Sequence, residues 1–331
     1  MTESIILTGA NGSAAVHTVR YLLEQQPDKH LVLTVRDTSD SDVNTNLLRK
    51  VIAEYPGSKS TIRQLDLSSL AAVNSFAKTL AAEISRTELP PLKSIICNAF
   101  YWNLTKEKEK TSDGYEKTFQ VNHIAHSALV LQLLSSFSPS GGRVVLFTSD
   151  AHWPGKNSLE KIPPAVPSDL DLLVKPPADD PENHMAKGFN RYAVSKLVIL
   201  MWTYALNRHL EKDPTFAKIT AVAINPGNMS DSRALRVNTP KMLQMMSKFF
   251  IQPMRPLLRL ADPTMRTSSE AGIDVAKLAI NEASPGSRGF FTLLKEDKSS
   301  PDSLDTNVQE AIWEKTLEWT GISNSNADIP A

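Results

Sequence analysis

The stretch Ile5-Ile6-Leu7-Thr8-Gly9-Ala10-Asn11-Gly12-Ser13-Ala14-Ala15 decides the fold. An apolar run ends in a turn with two glycines, and a segment of helical period then continues to about Glu24. Glycines let a backbone turn tightly and approach a pyrophosphate. The helix start behind them offers free N–H groups and the positive end of a dipole. A glycine pair is weak on its own, because an ordinary strand-to-helix turn reads the same way. Its place after the first of many alternating elements strengthens it, and makes Thr8, Gly9, Asn11, Gly12 and Ser13 candidates for cofactor binding. The spacing fits TGxxGxxG through Gly9 and Gly12, with Ala15 in the last place. That place serves helix–strand packing, where a methyl group is tolerated.

Working outward, runs rich in Ile, Val and Leu recur at 4–8, 31–35, 61–65, 92–97, 143–148 and 218–224. Segments of helical period, such as 68–84 and 114–137, lie between them. This alternation predicts an α/β fold, a doubly wound parallel sheet with helices on both faces. Continuously apolar strands suit burial on both sides. Without internal repeat or linker, a single domain over 1–331 is expected. Two segments interrupt the pattern. Residues 152–187 carry seven prolines and read as a long loop. Residues 228–266 form a second insertion containing Met242-Leu243-Gln244-Met245-Met246 and Phe249-Phe250-Ile251. The tail after Trp319 is polar and is expected to fray.

The chain has 331 residues, 41% apolar and 22% charged, which argues against wholesale disorder. Lys+Arg and Asp+Glu are both 36, so nothing electrostatic points to nucleic acid as the main partner. The one cysteine, Cys97, cannot form an internal disulfide. The N-terminus runs straight into a strand, with no signal-peptide pattern, and no apolar run approaches the ~20 residues of a spanning helix. A cytoplasmic location is the expectation. Three Asn-X-Ser/Thr triplets, at Asn11, Asn103 and Asn228, read as chance matches in that setting.

Further pieces then fall in order. Asp66-Leu67 ends the third strand and Cys97-Asn98-Ala99-Phe100 the fourth. Val121-Asn122-His123 lies on the next helix, and Phe147-Thr148-Ser149-Asp150-Ala151-His152 ends the fifth strand. Tyr192-Ala193-Val194-Ser195-Lys196 follows, and Asn225-Pro226-Gly227 ends the sixth strand. Each has a bland reading: Asp66 can start a turn before Ser68, Asn122 can bridge helices, Tyr192 can be a core aromatic. Together, over roughly residues 4–230, they resemble the short-chain dehydrogenase/reductase family. The flavour is that of the retinol-dehydrogenase and protochlorophyllide-reductase-like group, including fungal members of small-molecule metabolism. Asn98-Ala99 resembles the family's NNAG, with Phe100 where the family has Gly.

The resemblance implies a Rossmann-type sheet and a nicotinamide cofactor. Thr8, Gly9, Asn11, Gly12, Ser13, Arg36, Asp66, Leu67, Asn98, Ala99, Tyr192, Lys196, Pro226 and Gly227 would contact the cofactor. Ser149, Tyr192, Lys196 and Asn122 would be catalytic. Tyr192 and Lys196 are four apart and share a helix face. A nearby ammonium lowers a phenol's pKa from its usual ~10. The resemblance gives Lys196 the nicotinamide ribose, Asn122 a water that serves Lys196, and Ser149 the substrate oxygen. Tyr192 follows Ser149 by 43 positions, so the 152–187 loop sits beside the substrate. No metal is expected: His123 and His126 share a helix face, but no carboxylate or thiolate is placed with them.

The second strand ends Thr34-Val35-Arg36-Asp37. An Arg there suits the 2′-phosphate of NADP(H), while an acidic residue suits the 2′-hydroxyl of NAD, so Arg36 and Asp37 compete and Arg36 is favoured. The expected activity is NADPH-dependent interconversion of a small apolar ketone or aldehyde with its alcohol. The alternatives are a nucleotide-binding regulator without turnover, or a non-redox isomerase or dehydratase. For 240–260, three readings stand in this order: a Met- and Phe-lined substrate lid broken by Pro253 and Pro256, a core helix, and a helix resting on a membrane. Homo-oligomers, by analogy, would pair through the helices bearing Asn122 and Tyr192.

Overall fold

The computed structural model describes residues 2–179 and 181–323. Its centre is an eight-stranded sheet. The strands are β1 (Ser4–Thr8), β2 (His30–Val35), β3 (Lys59–Gln64), β4 (Leu92–Cys97), β5 (Gly142–Phe147), β6 (Ile219–Asn225), a small separate pair β7 (Asn228–Met229) and β8 (Met265–Arg266), then β9 (Gly289–Thr292) and β10 (Lys295–Glu296). The order across the large sheet is β10-β9-β6-β5-β4-β1-β2-β3, parallel throughout except for the β9–β10 pair. Between β1 and β4 the order reverses direction, which opens a crevice at their carboxyl ends. The doubly wound parallel sheet expected from the sequence is what forms.

Alternation along β1 shows why both faces fill. Ile6 packs into one apolar cluster, with helices Leu70–Ser85 and His184–Lys212. Ile5 and Leu7 pack into the other, with helices Ser13–Gln25, Val43–Ala53 and Ser268–Ala279. Side chains cap several helices. Asp42 accepts from the Thr45 amide (2.6 Å), Ser69 from that of Ala72 (3.2 Å), and Thr267 and Glu270 form a reciprocal capping box. Helix Ser13–Gln25 differs: it starts at Gly12 and no side chain caps it. β3, at the sheet's edge, is polar and half-exposed rather than continuously apolar.

The structure departs from the sequence reading in four places. β9 and β10 were not anticipated, because Gly-Phe-Phe-Thr is too short a run to stand out. Pro253 and Pro256 do not break the 241–261 segment. It is continuous helix, with a π turn over Ser247–Ile251 and Pro253 near the start of the following turn, where its missing N–H costs least. The chain beyond Trp319 does not fray at once: helix Thr306–Thr320 ends on a left-handed Gly321 (φ 64°), and Ile322 is buried. The expected tail from residue 324 lies outside the described residues. Lastly, that C-terminal helix covers the helices bearing Asn122 and Tyr192. Trp313 stacks on Trp202 (5.9 Å) and His209 (4.2 Å), and Thr316 Oγ1 lies 2.8 Å from His123 Nε2. No local pattern in the sequence announces these contacts.

Candidate active site

The site begins at the crevice. Gly9 takes φ +61°, and a Cβ there would meet Ala99 at 3.0 Å, so the β1 and β4 turns approach as closely as only glycine allows. Asn98 Nδ2 donates to the Thr8 and Gly9 carbonyls (3.0 and 3.1 Å), and Thr8 Oγ1 accepts from the Ala99 amide (3.1 Å). Thr8 is fully buried and lies 3.0 Å from His126 Nε2, so it braces the turn from behind. His123 and His126 therefore turn to different hydroxyls, Thr316 and Thr8, and burial holds both rings down to about 3. Both are neutral packing residues.

A cleft of about 440 Å³ opens from this turn. Gly9, Asn11, Gly12, Ser13, Arg36, Asp66, Leu67, Asn98 and Ala99 line it. Asn11 Nδ2 donates to Thr45 Oγ1 (3.0 Å). Asp66 does double duty: one carboxylate oxygen accepts from the Ser68 amide and hydroxyl (2.9 and 2.7 Å) while the residue lines the cleft. The helix start after Gly12, which no side chain caps, a positive-φ glycine and exposed Arg36 fit a dinucleotide phosphate group. Thr8, Pro226, Gly227 and the four catalytic candidates are not among the lining residues. Gly227 (φ +85°) instead closes a turn in which its amide donates to Asn225 Oδ1 (3.1 Å).

The catalytic candidates gather behind an aromatic wall of Phe100, Tyr101 and Trp102. Tyr192, on helix His184–Lys212, is ringed by Trp102 (5.4 Å), Phe189 (6.0 Å) and Phe100 (6.2 Å). Its hydroxyl lies close enough to Ser149 for the serine to favour the phenolate, against the larger effect of burial. Ser149 Oγ donates to Asp150 Oδ1 (2.9 Å) and accepts from the Ala151 amide (3.2 Å). Asn157, from the 152–187 segment, donates to the same Asp150 oxygen (3.0 Å). Lys196 Nζ donates to the Phe147 carbonyl (2.8 Å) and sits 5.6 Å from the centre of the Tyr192 ring. Asn122 lies in a π turn, Gln120–Ile124. Its side chain accepts from the Tyr101 amide (2.7 Å) and donates to the Tyr101 carbonyl (3.0 Å) and Ser195 Oγ (2.9 Å).

Electrostatics corrects one expectation. Burial, not the lysine, dominates: the Tyr192 hydroxyl is pushed up to about 12 and Lys196 down to about 7. A free lysine titrates at ~10.4. Between about 7 and that value the unfolded chain keeps a proton that the folded chain has released, so stability rises with pH there. Below about 7 both states carry the proton and this slope disappears. Melting temperature without cofactor should therefore climb between about pH 7 and 9, and Lys196→Met should remove that part of the climb. An identical pH profile in the variant would refute it.

Sequence reasoning missed the residues that close the site. Ala234 and Leu235 join Trp102, Leu104, Phe189, Leu159 and Met185 in one apolar cluster around Tyr192. Trp102 Nε1 donates to the Val237 carbonyl (3.2 Å) and Asn238 Nδ2 to the Trp102 carbonyl (3.2 Å), clamping the two loops. The Arg233 amide donates to Ser13 Oγ (3.0 Å), and Arg233 lines the cleft. The 240–260 segment does not line it: Met246 and Phe250, expected in the pocket, face solvent. The apolar period of that segment was visible, but a period cannot say which side its stripe faces.

Comparison with known proteins agrees with this fold. A KR domain matches residues 4–157, and an AcuH dehydrogenase domain matches residues 233–329. Short-chain dehydrogenase iccH of Talaromyces variabilis is 25% identical over 99% of this chain and 98% of its own. Dehydrogenase acuH of Aspergillus aculeatus is 53% identical over 93 residues, which is 28% of this chain and 95% of acuH. The NADPH-bound carbonyl reductase from chicken fatty liver shares the fold at a TM-score of 0.57 and 18% identity, over 90% of this chain and 99% of that one.

Proposed function

Because the chain belongs to the short-chain dehydrogenase/reductase family, we propose that it is an NADPH-dependent carbonyl reductase or alcohol dehydrogenase for a small apolar ketone, aldehyde or alcohol, in fungal-type secondary metabolism. One observation carries the reading: Tyr192 lies beside Ser149, with Lys196 one helical turn on, behind a cleft that opens on the glycine turn. The apolar cluster around Tyr192 favours an apolar substrate. The insertions 152–187 and 228–266 supply Leu159, Met185, Ala234 and Leu235 to it, so they form the substrate side.

The cofactor, when bound, supplies the hydride. Tyr192 gives its proton to the substrate oxygen as that oxygen becomes an alcohol. Ser149 turns its hydroxyl from Asp150 to the same oxygen and stabilises the charge developing on it. Lys196 holds the ribose. Asn122 fixes the Phe100–Trp102 wall through both Tyr101 backbone groups and orders the water that serves Lys196. Phe100 stands where the resemblance has Gly and, with Trp102, screens Tyr192 from the cleft, which favours one rival, nucleotide binding without turnover. A panel of ketones, aldehydes and alcohols, assayed with NADPH and NADP⁺ by absorbance, separates them. Substrate-dependent change is expected. Tight NADPH binding with no change on any panel member would favour the regulator.

A further inference from the structure

Helix 241–261 turns its apolar side to solvent. Met242, Met245, Phe249, Phe250, Leu257 and Leu260 are 59 to 83% exposed. Eight of the fourteen large apolar side chains exposed among the described residues fall between Met242 and Leu260. Single exposed apolar residues are ordinary, but a contiguous patch marks an interaction surface. The spacing of three and four puts them on one side. The opposite side holds the helix to the protein. Ser247 is buried and donates to the Ser230 carbonyl (3.2 Å), and Gln244 Nε2 donates to the Thr239 carbonyl (2.7 Å).

Charge narrows the occupant. Residues 241–261 contain no Asp or Glu and four basic residues. Arg255 Nη1 leans back on Ser230 Oγ (3.4 Å) and Arg259 pairs with Glu270 (2.7 Å). Lys241 and Lys248 are exposed and pair with no carboxylate among the described residues. A second copy, meeting this face symmetrically, would bring like charges together around the same patch. An apolar stripe of Met, Phe and Leu with flanking lysines is the composition of a helix that lies in a bilayer interface. At ~1.5 Å per residue such a helix lies flat over about 30 Å. Among the described residues no helix is long and apolar enough to cross a membrane.

We propose that helix 241–261 docks the protein on a bilayer surface rich in anionic headgroups. Phe249, Phe250 and Leu257 enter the headgroup–acyl boundary, and Lys241 and Lys248 meet the headgroups. Val237 and Asn238, which line the cleft, immediately precede this helix, so the cleft would open beside the membrane. That would give an apolar substrate a short path; the docking itself does not depend on the proposed catalytic reading.

The test is sedimentation of the full chain with sucrose-loaded vesicles of phosphatidylcholine alone, or with about one third phosphatidylserine. Salt-sensitive sedimentation with the mixed vesicles is expected. Phe249→Ser with Phe250→Ser should weaken it at least about tenfold. Lys241→Gln and Lys248→Gln should each weaken it about fivefold. Melting temperature and NADPH affinity, measured on the same variants, should stay unchanged, since these side chains face solvent. Wild-type protein left in the supernatant with both vesicles would overturn the proposal, and equal sedimentation with phosphatidylcholine alone would overturn the anionic assignment. A dimer in sedimentation velocity that the phenylalanine variant dissolves would give the face to a second copy instead.

Discussion

Tyr192→Phe should lower turnover by roughly 10²–10⁴-fold, the usual worth of a positioned proton donor, and leave NADPH affinity and melting temperature nearly unchanged. The ring makes its contacts through its faces and edges, with Trp102, Phe189 and Phe100, and a phenyl ring keeps them. What is lost is one hydroxyl, beside Ser149. Burial holds that hydroxyl near 12, so the acid is loaded at every pH where a reductase works. The loss should therefore fall on kcat rather than on KM, since the group acts in the transition state. Steady-state kinetics, NADPH fluorescence titration and a melting curve on one preparation check all three. A near-normal kcat would remove Tyr192 from the mechanism and leave the regulator reading in its place.

The sequence was informative wherever a residue's job is set by its neighbours along the chain. Gly9 and Gly12 sit in a turn, Tyr192 and Lys196 on one helix, Asn98-Ala99 and Ser149 at strand ends, and each of these positions is fixed by the alternation of strand and helix. The sequence was silent where the job is set across the chain. Trp102 matters through the Val237 carbonyl, Arg233 through Ser13, and Asp150 through Ser149 and Asn157. Nothing in local period or motif pairs those segments. Helix 241–261 shows the sharpest limit. Its apolar stripe was plain, but with no element to cover it the stripe points outward, and the lid expected there is instead the surface proposed to meet a membrane. The C-terminus errs the other way: the chain after Trp319 reads as a polar tail, yet helix Thr306–Thr320 runs on to Gly321, Ile322 is buried and Trp313 stacks on Trp202.

Arg36→Ala should weaken NADPH binding about 10- to 100-fold at low salt, the worth of about 1.5–3 kcal/mol of charge-assisted hydrogen bonding, and leave NADH binding nearly as it was. The two residues that compete for this role both line the cleft and are both exposed, but their partners differ. Asp37 spends a carboxylate oxygen on the Ser39 amide (2.8 Å), and that bond holds it below the usual carboxylate range. Its backbone carbonyl accepts from Thr45 Oγ1 (2.8 Å), so the turn that carries it is fixed. Arg36 lines the cleft, is exposed, and its guanidinium makes no ion pair among the described residues. A 2′-phosphate would give it one. Arg233 adds a second cation to the same cleft, though its field is shared with Asp42. Arg36→Lys should recover only part of the affinity, because an ammonium cannot grip a phosphate with two parallel N–H groups. Isothermal titration of wild type and both variants with NADPH and NADH checks the series. Tighter NADH binding by the wild type would return the role to Asp37, and an equal loss for both cofactors in Arg36→Ala would place Arg36 on the shared diphosphate instead of the 2′-phosphate.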